Sequence, residues 1–275
     1  MTGVAPILTV VGSVNEDITL FTSALPAPGE TILAERSRRD PGGKGANQAA
    51  AAARLGGGAR FVGAVGVDAA GDRMIRALQA AGVDVDGVER VAEATGEAHI
   101  VVDAAGENTI VVSAGANASV TVPNRLEGPV LCQLEVPMDV VLAAACATKG
   151  YFALNAAPAR RLPSSLIERC DLVIVNESEY AALPEIAVAR LVVVTLGSAG
   201  AVAYSHGQKV ARAGGRRATV ASTVGAGDAF CAAVVLALVG GRSLVAALDL
   251  ACAVGAAAVE SLDAQPLFEP LEAYA

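Results

Sequence analysis

Tryptophan is absent from the sequence, and aromatic residues make up only 3% of its 275 residues. Binding platforms for single-stranded nucleic acids or long glycans are built largely from aromatic side chains, so both ligand classes are disfavoured. Positive charge is also scarce: 20 Lys and Arg against 28 Asp and Glu give a formal net charge of −8. Because phosphate neutralisation dominates the affinity for polynucleotides, we expect no nucleic-acid partner. A local cradle for a small phosphorylated ligand remains compatible with this charge.

Long apolar runs and paired metal ligands are missing as well. The run 229–239 falls far short of the roughly 18–20 residues that span a bilayer, so no membrane partner is expected. Residues 1–12 lack a basic n-region, which argues against a signal peptide. The five cysteines form no CxxC pair, and His99 and His206 are far apart in sequence, which predicts reduced thiols and no zinc site. We therefore expect a cytoplasmic protein.

The sequence does contain short apolar runs that alternate with alanine-rich stretches of helical length. Apolar strands alternating with helices indicate an α/β fold with three layers, α/β/α, around a mostly parallel central sheet. The predicted strands are 7–11, 61–65, 130–134, 172–175, 191–196 and 201–204. The predicted helices are 46–55, 72–81, 138–148 and 164–169, followed by two buried helices at 226–239 and 243–261.

Two more polar segments, 15–39 and 95–112, interrupt this alternation. The second contains alternating apolar residues on either side of a turn at 104–108 (AAGEN), a pattern typical of a hairpin. We predict that both segments form extra antiparallel strands outside the main sheet and act as a lid. No repeat or linker divides the chain, so the sequence predicts one domain over 1–275 with a small β-sheet appended.

A glycine-rich run at 41–48 (PGGKGANQ) stands directly before the first predicted helix. Glycines let the backbone approach a ligand closely, and the start of a helix presents unpaired N–H groups. Lys44 is followed by Gly45 and not by the Ser or Thr of a nucleotide-binding P-loop. This run either binds hydroxyls or a phosphate through Lys44 and Asn47, or it is an ordinary turn.

A second glycine run, 222–230 (STVGAGDAF), leads into a buried helix whose first turn carries Asp228. The backbone N–H groups there could stabilise the charge on a phosphoryl group while the carboxylate takes a proton from an attacking hydroxyl. A plain aspartate at a helix start is the other interpretation. Spacing alone does not decide between the two.

Polar residues also follow three predicted strands, where open α/β sheets bind their ligands. Asn15 and Asp17 come after the first strand and could meet one hydroxylated ligand. Asn176 and Glu179 come after another, where they could order water around magnesium or simply cap a helix. The glycine turn 195–200 (TLGSAG) could line a nucleotide pocket.

In this order, the motifs resemble those of the ribokinase-like carbohydrate kinases, the PfkB family. The resemblance runs nearly end to end and depends on many separate motifs. Besides those above, it is carried by 12–17 (GSVNED), 28–31 (PGET), 106–108 (GEN), 114–117 (AGAN), 133–135 (QLE), 154–160 (LNAAPAR) and 264–266 (AQP). It implies ATP-dependent phosphorylation of the primary hydroxyl of a pentose, with D-ribose favoured, and Mg²⁺ as a cofactor.

The resemblance also implies roles for individual residues. Asp228 matches the catalytic base, and the anion hole falls on Gly225, Ala226 and Gly227. Sugar contacts fall on Asn15, Asp17, Gly43, Lys44, Gly45, Ala46, Asn47, Glu135 and Asp228, with Ala98 and Ile110 as an apolar wall that favours a small pentose. Nucleotide contacts fall on Asn176, Thr195, Leu196, Gly197, Ser198, Ala199, Gly200, Gly227 and Cys252. Asn176 and Glu179 match the pair that organises magnesium.

Several alternatives and departures stay open. The chain could phosphorylate another sugar or a nucleoside, or it could be a non-catalytic sugar- or nucleotide-binding protein on this scaffold. In related kinases the lid pairs into a dimer interface, so a homodimer is expected. The segment 180–190 is short for the family, which predicts that a helix there is truncated or absent. Ser222 replaces an aspartate that helps to bind a monovalent cation, and this leaves activation by potassium open, with Asp263 as a possible substitute carboxylate.

Overall fold

A nine-stranded sheet forms the centre of the fold in the computed structural model, which describes residues 7–275. Residues 1–6, part of the predicted domain and of the segment interpreted as lacking a signal peptide, lie outside the described residues. The strands of this sheet are β1 (Leu8–Val11), β4 (Ala59–Gly66), β5 (Val83–Val91), β8 (Val130–Cys132), β9 (Phe152–Asn155), β10 (Leu172–Asn176), β11 (Val192–Thr195), β12 (Ala201–Ser205) and β13 (Gln208–Ala213). Their spatial order is β13-β12-β11-β10-β9-β8-β1-β4-β5.

Pairing in this sheet is parallel from β5 through to β11, and only β12 and β13 are antiparallel. Neighbouring residues along a strand face opposite sides, so Val10 and Val11 enter two different hydrophobic cores. This two-sided burial is why the strands are apolar throughout and not alternating.

Seven helices cover the two faces among the described residues. They are α1 (Lys44–Arg54), α2 (Ala69–Ala80), α3 (Met138–Ala147), α4 (Ser164–Arg169), α5 (Glu177–Ala182), α6 (Ala226–Val239) and α7 (Leu244–Val259). Buried side chains of α1, α2, α6 and α7 share one core, and those of α3 and α4 belong to the other. The predicted three-layer α/β/α fold is therefore confirmed.

A second, four-stranded sheet forms from the two polar segments, as predicted. Its strands are β2 (Asn15–Phe21), β3 (Arg36–Gly42), β6 (Gly96–Val102) and β7 (Asn108–Ser113), in the order β3-β2-β6-β7. The expectation of purely antiparallel strands is wrong in one respect: β2 and β6 pair in parallel. The two strands belong to separate hairpins, β2–β3 and β6–β7, and a pairing between hairpins is not constrained to be antiparallel by a tight turn.

Three strands of the main sheet lack a strong apolar signal and were not predicted: β5, β9 and β13. β5 and β13 lie at the two edges of the sheet, where polar residues are tolerated, and β9 is only four residues long. The truncated helix expected at 180–190 is present as α5, which has six residues and is followed by a 3₁₀ turn at Pro184–Val188. Among residues 7–275, no helix combines the length and the apolar character needed to cross a membrane.

Candidate active site

The carboxyl ends of five neighbouring strands bring five polar residues, three of them predicted, to one edge of the main sheet. Ser13 follows β1, Glu135 follows β8, and Asn155, Asn176 and Thr195 end β9, β10 and β11. Since β1, β8, β9, β10 and β11 are adjacent and parallel, residues more than a hundred positions apart in sequence become neighbours. Open α/β sheets bind ligands at this edge.

The first glycine run positions the start of α1 against the end of β1. Gly43 precedes the helix with φ of 86°, a left-handed conformation that favours glycine. A Cβ on Gly43 would lie 2.9 Å from the backbone nitrogen of Asn15, and one on Gly45 would lie 2.7 Å from Ser13. These glycines therefore let α1 approach the β1–β2 connection closely. The N–H of Ala46 donates to the carbonyl of Ser13 at 2.9 Å. The sugar contacts predicted for Gly43, Gly45 and Ala46 stay predictions.

Lys44 and Glu135 form an ion pair at the start of α1. The ammonium Nζ lies 2.8 Å from Oε1 of Glu135, and the backbone N–H of Lys44 donates to Oε2 at 3.0 Å. Ser13 Oγ also donates to this Oε2, at 2.6 Å. Burial disfavours both charges, but their mutual attraction outweighs it, so the pKa of Lys44 lies above its ordinary value and that of Glu135 below. Both groups are therefore charged at neutral pH.

Asn15 and Asp17 share one face of β2, because side chains alternate along a strand. The buried side chain of Asn15 accepts a hydrogen bond from Asn117 Nδ2 at 2.7 Å. Asn117 is itself fixed by the backbone of Val14, to which it both donates and accepts. Asn117 thus sets the orientation of the Asn15 amide.

Asp17 is a carboxylate in an unfavourable electrostatic position. Burial, followed by the nearby Glu135 and Asp40 charges, raises its pKa from 3.8 to about 7, although Lys44 acts in the opposite direction. A half-buried carboxyl without a strong partner of its own is characteristic of a group that hydrogen-bonds a ligand.

The second glycine run starts α6 at the same edge of the sheet. Gly225 precedes the helix with φ of 79°, and a Cβ there would overlap the carbonyl of Ala264. A Cβ on Gly227, by contrast, would meet nothing within 4 Å. The first-turn N–H groups of a helix have no intrahelical acceptor, and an open approach at Gly227 lets an anion reach them. This geometry fits the predicted anion hole of Gly225, Ala226 and Gly227.

Asp228 lies in this first turn, where α1 and α6 meet. Asn47 Nδ2 donates to its Oδ2 at 3.1 Å, and Gln48 Nε2 donates to its Oδ1 at 3.0 Å. Burial raises the pKa of Asp228 from 3.8 to about 6, while Lys44 and the two amides partly oppose this rise. A carboxylate with a pKa near 6 is ionised at neutral pH and can still accept a proton, as a general base must.

A cleft of about 150 Å³ connects the two glycine runs with the residues predicted to bind nucleotide. Lys44, Gly227, Asp228, Asn176 and Glu179 are among the residues that line it. The remaining lining residues are Asn155, Ala157, Ile174, Val175, Thr195 and Cys231. The catalytic candidate Asp228 thus shares one cleft with the sugar-binding candidate Lys44 and the nucleotide-binding candidates Asn176 and Thr195.

Asn176 and Glu179 form a capping box at the start of α5. The N–H of Glu179 donates to Asn176 Oδ1 at 2.8 Å, and the N–H of Asn176 donates to Glu179 Oε2 at 2.8 Å. The capping interpretation is therefore correct. It does not exclude a role in ordering water around magnesium, because both residues also line the cleft. Burial raises the pKa of Glu179.

One carboxylate facing a phosphate-sized cleft is the donor set that suits Mg²⁺, which keeps several waters and binds few protein ligands besides substrate phosphates. Within 7–275, no group of three or more His, Cys, Asp and Glu side chains is placed to hold a metal by itself. The residues present therefore fit a magnesium ion that arrives with the nucleotide.

The turn 195–200 begins at Thr195, which lines the cleft. Gly197 and Gly200 have φ of 53° and 96°, and a Cβ on Gly200 would overlap the backbone at Ala213. Leu196, Ser198 and Ala199 lie in this turn, outside the lining of the 150 Å³ cleft. Cys252 is on α7, 8% exposed, and likewise does not line it. Their nucleotide contacts stay predictions.

The two residues of the predicted apolar wall lie in the small sheet. Ala98 on β6 is buried and pairs in register with Asp17. Ile110 on β7 is 53% exposed. Only Ala98 is therefore packed beside a candidate sugar-binding residue.

Sequence reasoning missed several residues that hold the candidate site residues in place. They are Ser13, Gln48, Asn117, Gln133, Asn155 and Gln265, together with Cys231 in the lining of the cleft. Several of these residues lie inside the motifs that carry the resemblance. The motifs therefore identified the residues, but their roles could be assigned only from the geometry of the structure.

Comparison with known proteins agrees with this geometry. Residues 7–270 match the model of the pfkB family of carbohydrate kinases. The ribokinase of Bacillus subtilis is 37% identical, with 93% of this chain and 94% of that protein covered, and the deoxyribokinase of Salmonella typhi is 32% identical, with 81% and 82% covered. A solved structure of Arabidopsis thaliana ribokinase complexed with ribose and ATP has a TM-score of 0.88 at 31% identity, with 98% and 97% covered.

The match to the family model spans nearly all of the described chain, and the relatives are aligned over most of their length. The two glycine runs, the acid at the start of α6 and the polar ends of the parallel strands occupy one cleft. The chain therefore belongs to the pfkB family of carbohydrate kinases.

Proposed function

We propose that this chain transfers the γ-phosphoryl group of ATP to the primary hydroxyl of D-ribose, with D-ribose 5-phosphate as the product. The observation that carries the proposal is the position of Asp228. Its carboxylate is held by amides from α1, the helix of the sugar-binding candidates, and it faces the cleft that leads to Thr195.

In the proposed reaction, Asp228 accepts the proton of the primary hydroxyl as its oxygen attacks the γ-phosphorus. The N–H groups at the start of α6 stabilise the negative charge that develops on the phosphoryl oxygens. Lys44, at the lining of the cleft, adds a positive charge beside the same site. Asn176 and Glu179 would hold a Mg²⁺ ion that arrives with the nucleotide, and this ion would supply neutralisation of the phosphate charge.

Asn15, Asp17 and Lys44 bind the sugar hydroxyls in this proposal. Buried polar groups that lose their ligand partner are penalised, so such a site discriminates against sugars that lack a hydroxyl. The small sheet formed by β2, β3, β6 and β7 acts as a lid that excludes water, which would otherwise compete for the phosphoryl group.

We also propose a homodimer formed through this lid. All six residues of β7 are exposed, and Val111 is 64% exposed on this edge strand. An apolar strand edge is a template for pairing with another chain. Sedimentation at micromolar concentration should show a dimer that Val111→Lys dissociates, whereas a monomeric wild type would contradict this part of the proposal.

A cytoplasmic location is part of the proposal as well. Cys132, Cys170, Cys231 and Cys252 are buried as free thiols, and Cys146 is an exposed free thiol. Free thiols of this kind are typical of a reducing compartment.

Release of ADP, measured by a coupled assay over a panel of pentoses, hexoses and nucleosides, tests the function. We expect the highest kcat/KM with D-ribose and a lower value with 2-deoxyribose, which lacks one hydroxyl. A nucleoside or hexose preferred over every pentose would overturn the choice of substrate. An absence of ADP release with every acceptor would favour a non-catalytic binding protein.

A further inference from the structure

Gln48 lies beneath the cleft and connects α1 to α6. Its side chain is fully buried, with 0% exposure. The amide Nε2 lies 3.0 Å from Asp228 Oδ1 and 3.1 Å from Asn155 Oδ1, and Gln133 Nε2 donates to Gln48 Oε1 at 2.5 Å. Both N–H groups and the carbonyl of this amide are therefore used.

The orientation of the Gln48 amide follows from a backbone group. Asn155 Nδ2 donates to the carbonyl of Ile174 at 3.1 Å, which leaves Asn155 Oδ1 as an acceptor that must face a donor. Gln48 must then present its NH₂ group to Asn155, and the same group reaches Asp228. A flipped amide would place its oxygen against two acceptors, which is unfavourable for buried groups.

The other oxygen of Asp228 is held in a similar way. Asn47 Nδ2 donates to Oδ2 at 3.1 Å, and Gln265 Nε2 donates to Asn47 Oδ1 at 3.1 Å. Because Asn47 is also a candidate for sugar binding, it combines two roles. Gln48 itself does not line the cleft, but it contacts two residues that do, Asp228 and Asn155. Of these two, only Asp228 is a catalytic candidate.

We propose that Gln48 is a positioning residue: its amide, oriented by Asn155, holds the Asp228 carboxylate in the orientation and the ionised form that a general base requires. This inference rests on the proposed function, in which Asp228 is the base. A hydrogen bond to the charged form of an acid favours that form, so a neutral amide can do this without adding a charge.

The charges around Asp228 explain why such a donor is needed. Lys44 on α1 favours the ionised carboxylate, whereas Glu135 after β8 and Asp17 on β2 carry like charges. Glu179 on α5 carries a further carboxylate that lines the same cleft. Burial opposes ionisation most strongly of all and leaves the pKa of Asp228 at about 6. Loss of one hydrogen-bond donor would raise the pKa of Asp228 further, toward neutral pH.

The experiment compares Gln48→Met with Gln133→Met. Both changes remove a buried amide of the same network at similar volume, but only the first removes a donor to Asp228. The first readout is the titration of the Asp228 carboxyl carbon by ¹³C NMR in protein without substrate, assigned with Asp228→Asn. The second is the pH dependence of kcat.

For Gln48→Met we expect the midpoint of Asp228 to rise by about 1 pH unit, which corresponds to loss of one charge-assisted hydrogen bond. Turnover below neutral pH should fall about tenfold and recover as the pH rises, with little change in the KM for the sugar. Gln133→Met should keep the wild-type midpoint. Equal midpoints in the two variants, shifted or unshifted, would overturn the proposal, because loss of packing would then explain both.

Gln48→Glu serves as a second variant should Gln48→Met fail to fold. It keeps the volume and the acceptor for Gln133 but places a carboxyl against Asp228, so the midpoint should rise further. An unchanged midpoint in this variant would also overturn the proposal. The NMR titration needs no substrate, so a failure of the proposed function, seen as absent ADP release in the wild type, is distinguishable from a failure of the role of Gln48.

Discussion

Lys44 is bound twice by the same carboxylate: its ammonium contacts Glu135 Oε1 at 2.8 Å, and its backbone N–H donates to Oε2 at 3.0 Å. The side chain of Glu135 is 17% exposed and that of Lys44 34%. This arrangement joins the end of β8 to the start of α1 and orients the Lys44 side chain at the cleft.

Replacement of Lys44 by Met should raise the KM for the sugar and lower the stability of the protein. The change leaves Glu135 without its charge partner, and loss of one member of a buried pair costs roughly 3–5 kcal/mol, less here because both groups are partly exposed. The free energy of unfolding in urea, together with the KM for each substrate, measures both effects. In the double variant Lys44→Met/Glu135→Gln, part of the stability should return; strictly additive losses would contradict the coupling.

Replacement of Asp228 by Asn should lower kcat by about 10²–10⁴-fold, the range that general base catalysis contributes, while sugar binding survives. Steady-state kinetics measure the turnover of this variant, and calorimetry measures its sugar binding. In the wild type, kcat should also fall below pH 6, because Asp228, with a pKa of about 6, becomes protonated there. Near wild-type turnover in Asp228→Asn would eliminate this residue as the base.

Replacement of Asp17 by Asn should stabilise the protein at pH 8 while raising the KM for ribose. The pKa of Asp17 is raised from 3.8 to about 7 in the folded state, so the folded protein prefers the neutral carboxyl. Below pH 3.8 the carboxyl is neutral in both the folded and unfolded states. As the pH rises from 3.8 to about 7, ionisation of Asp17 in the unfolded state progressively lowers the free energy of unfolding. This loss of stability is complete at pH 8.

The gain in the free energy of unfolding should be at most on the order of 4 kcal/mol at pH 8, since each unit of pKa difference corresponds to about 1.4 kcal/mol, and it should vanish near pH 4. Denaturant unfolding at both pH values measures it. The KM for ATP provides the control, because an equal rise in both KM values would indicate a general disturbance of the site. A loss of stability at pH 8 would show that Asp17 has a compensating partner in the folded protein.

Replacement of Arg73 by Leu should weaken sugar binding, although Arg73 does not line the cleft. Glu16 stands between Asn15 and Asp17 on β2, and its buried carboxylate is bound by Arg73 of α2 at 2.6 Å and by Arg39 of β3. These contacts fix the lid strand to the core helix. Without Arg73, the two sugar-binding candidates on β2 lose this anchor, so the KM for the sugar should rise more than the KM for ATP.

The matched control is Arg76→Leu, one turn further along the exposed side of α2, where no salt bridge is formed among the described residues. Both changes remove one positive charge from the same helix. If Arg76→Leu raises the KM for the sugar as much as Arg73→Leu does, the change in net charge explains the effect and loss of the Arg73–Glu16 salt bridge does not.

Replacement of Ser222 by Asp should increase activation by potassium. Ser222 Oγ accepts a hydrogen bond from the N–H of Val224 at 3.2 Å, where the family resemblance places a carboxylate beside the anion hole. Asp263 is exposed and its charge acts on Arg54, so we expect that it does not return this charge. Hard cations need several oxygen ligands and gain from a carboxylate among them.

We therefore expect little activation of the wild type when potassium is titrated into potassium-free and sodium-free buffer, and a stronger response in Ser222→Asp. Strong activation of the wild type that persists in Asp263→Ala would show that backbone carbonyls suffice.

The sequence alone was enough to predict the main elements of the fold. Runs such as 172–175 are apolar throughout because both faces of the central strands are buried, and 226–239 is apolar for the same reason as a helix. The acid at Asp228 and the glycines before it were also recognisable, because an anion site at a helix start requires small residues with free N–H groups.

Tertiary structure alone decided which amide holds which carboxylate. Gln48 and Asp228 are 180 positions apart, and their contact depends on α1 and α6 packing side by side beneath one edge of the sheet. The same holds for Asn117 and Asn15, and for Arg73 and Glu16. Hydrogen bonds act over about 3 Å and in fixed directions, so the sequence reveals the donors and acceptors, and only the packing of the elements determines how they pair.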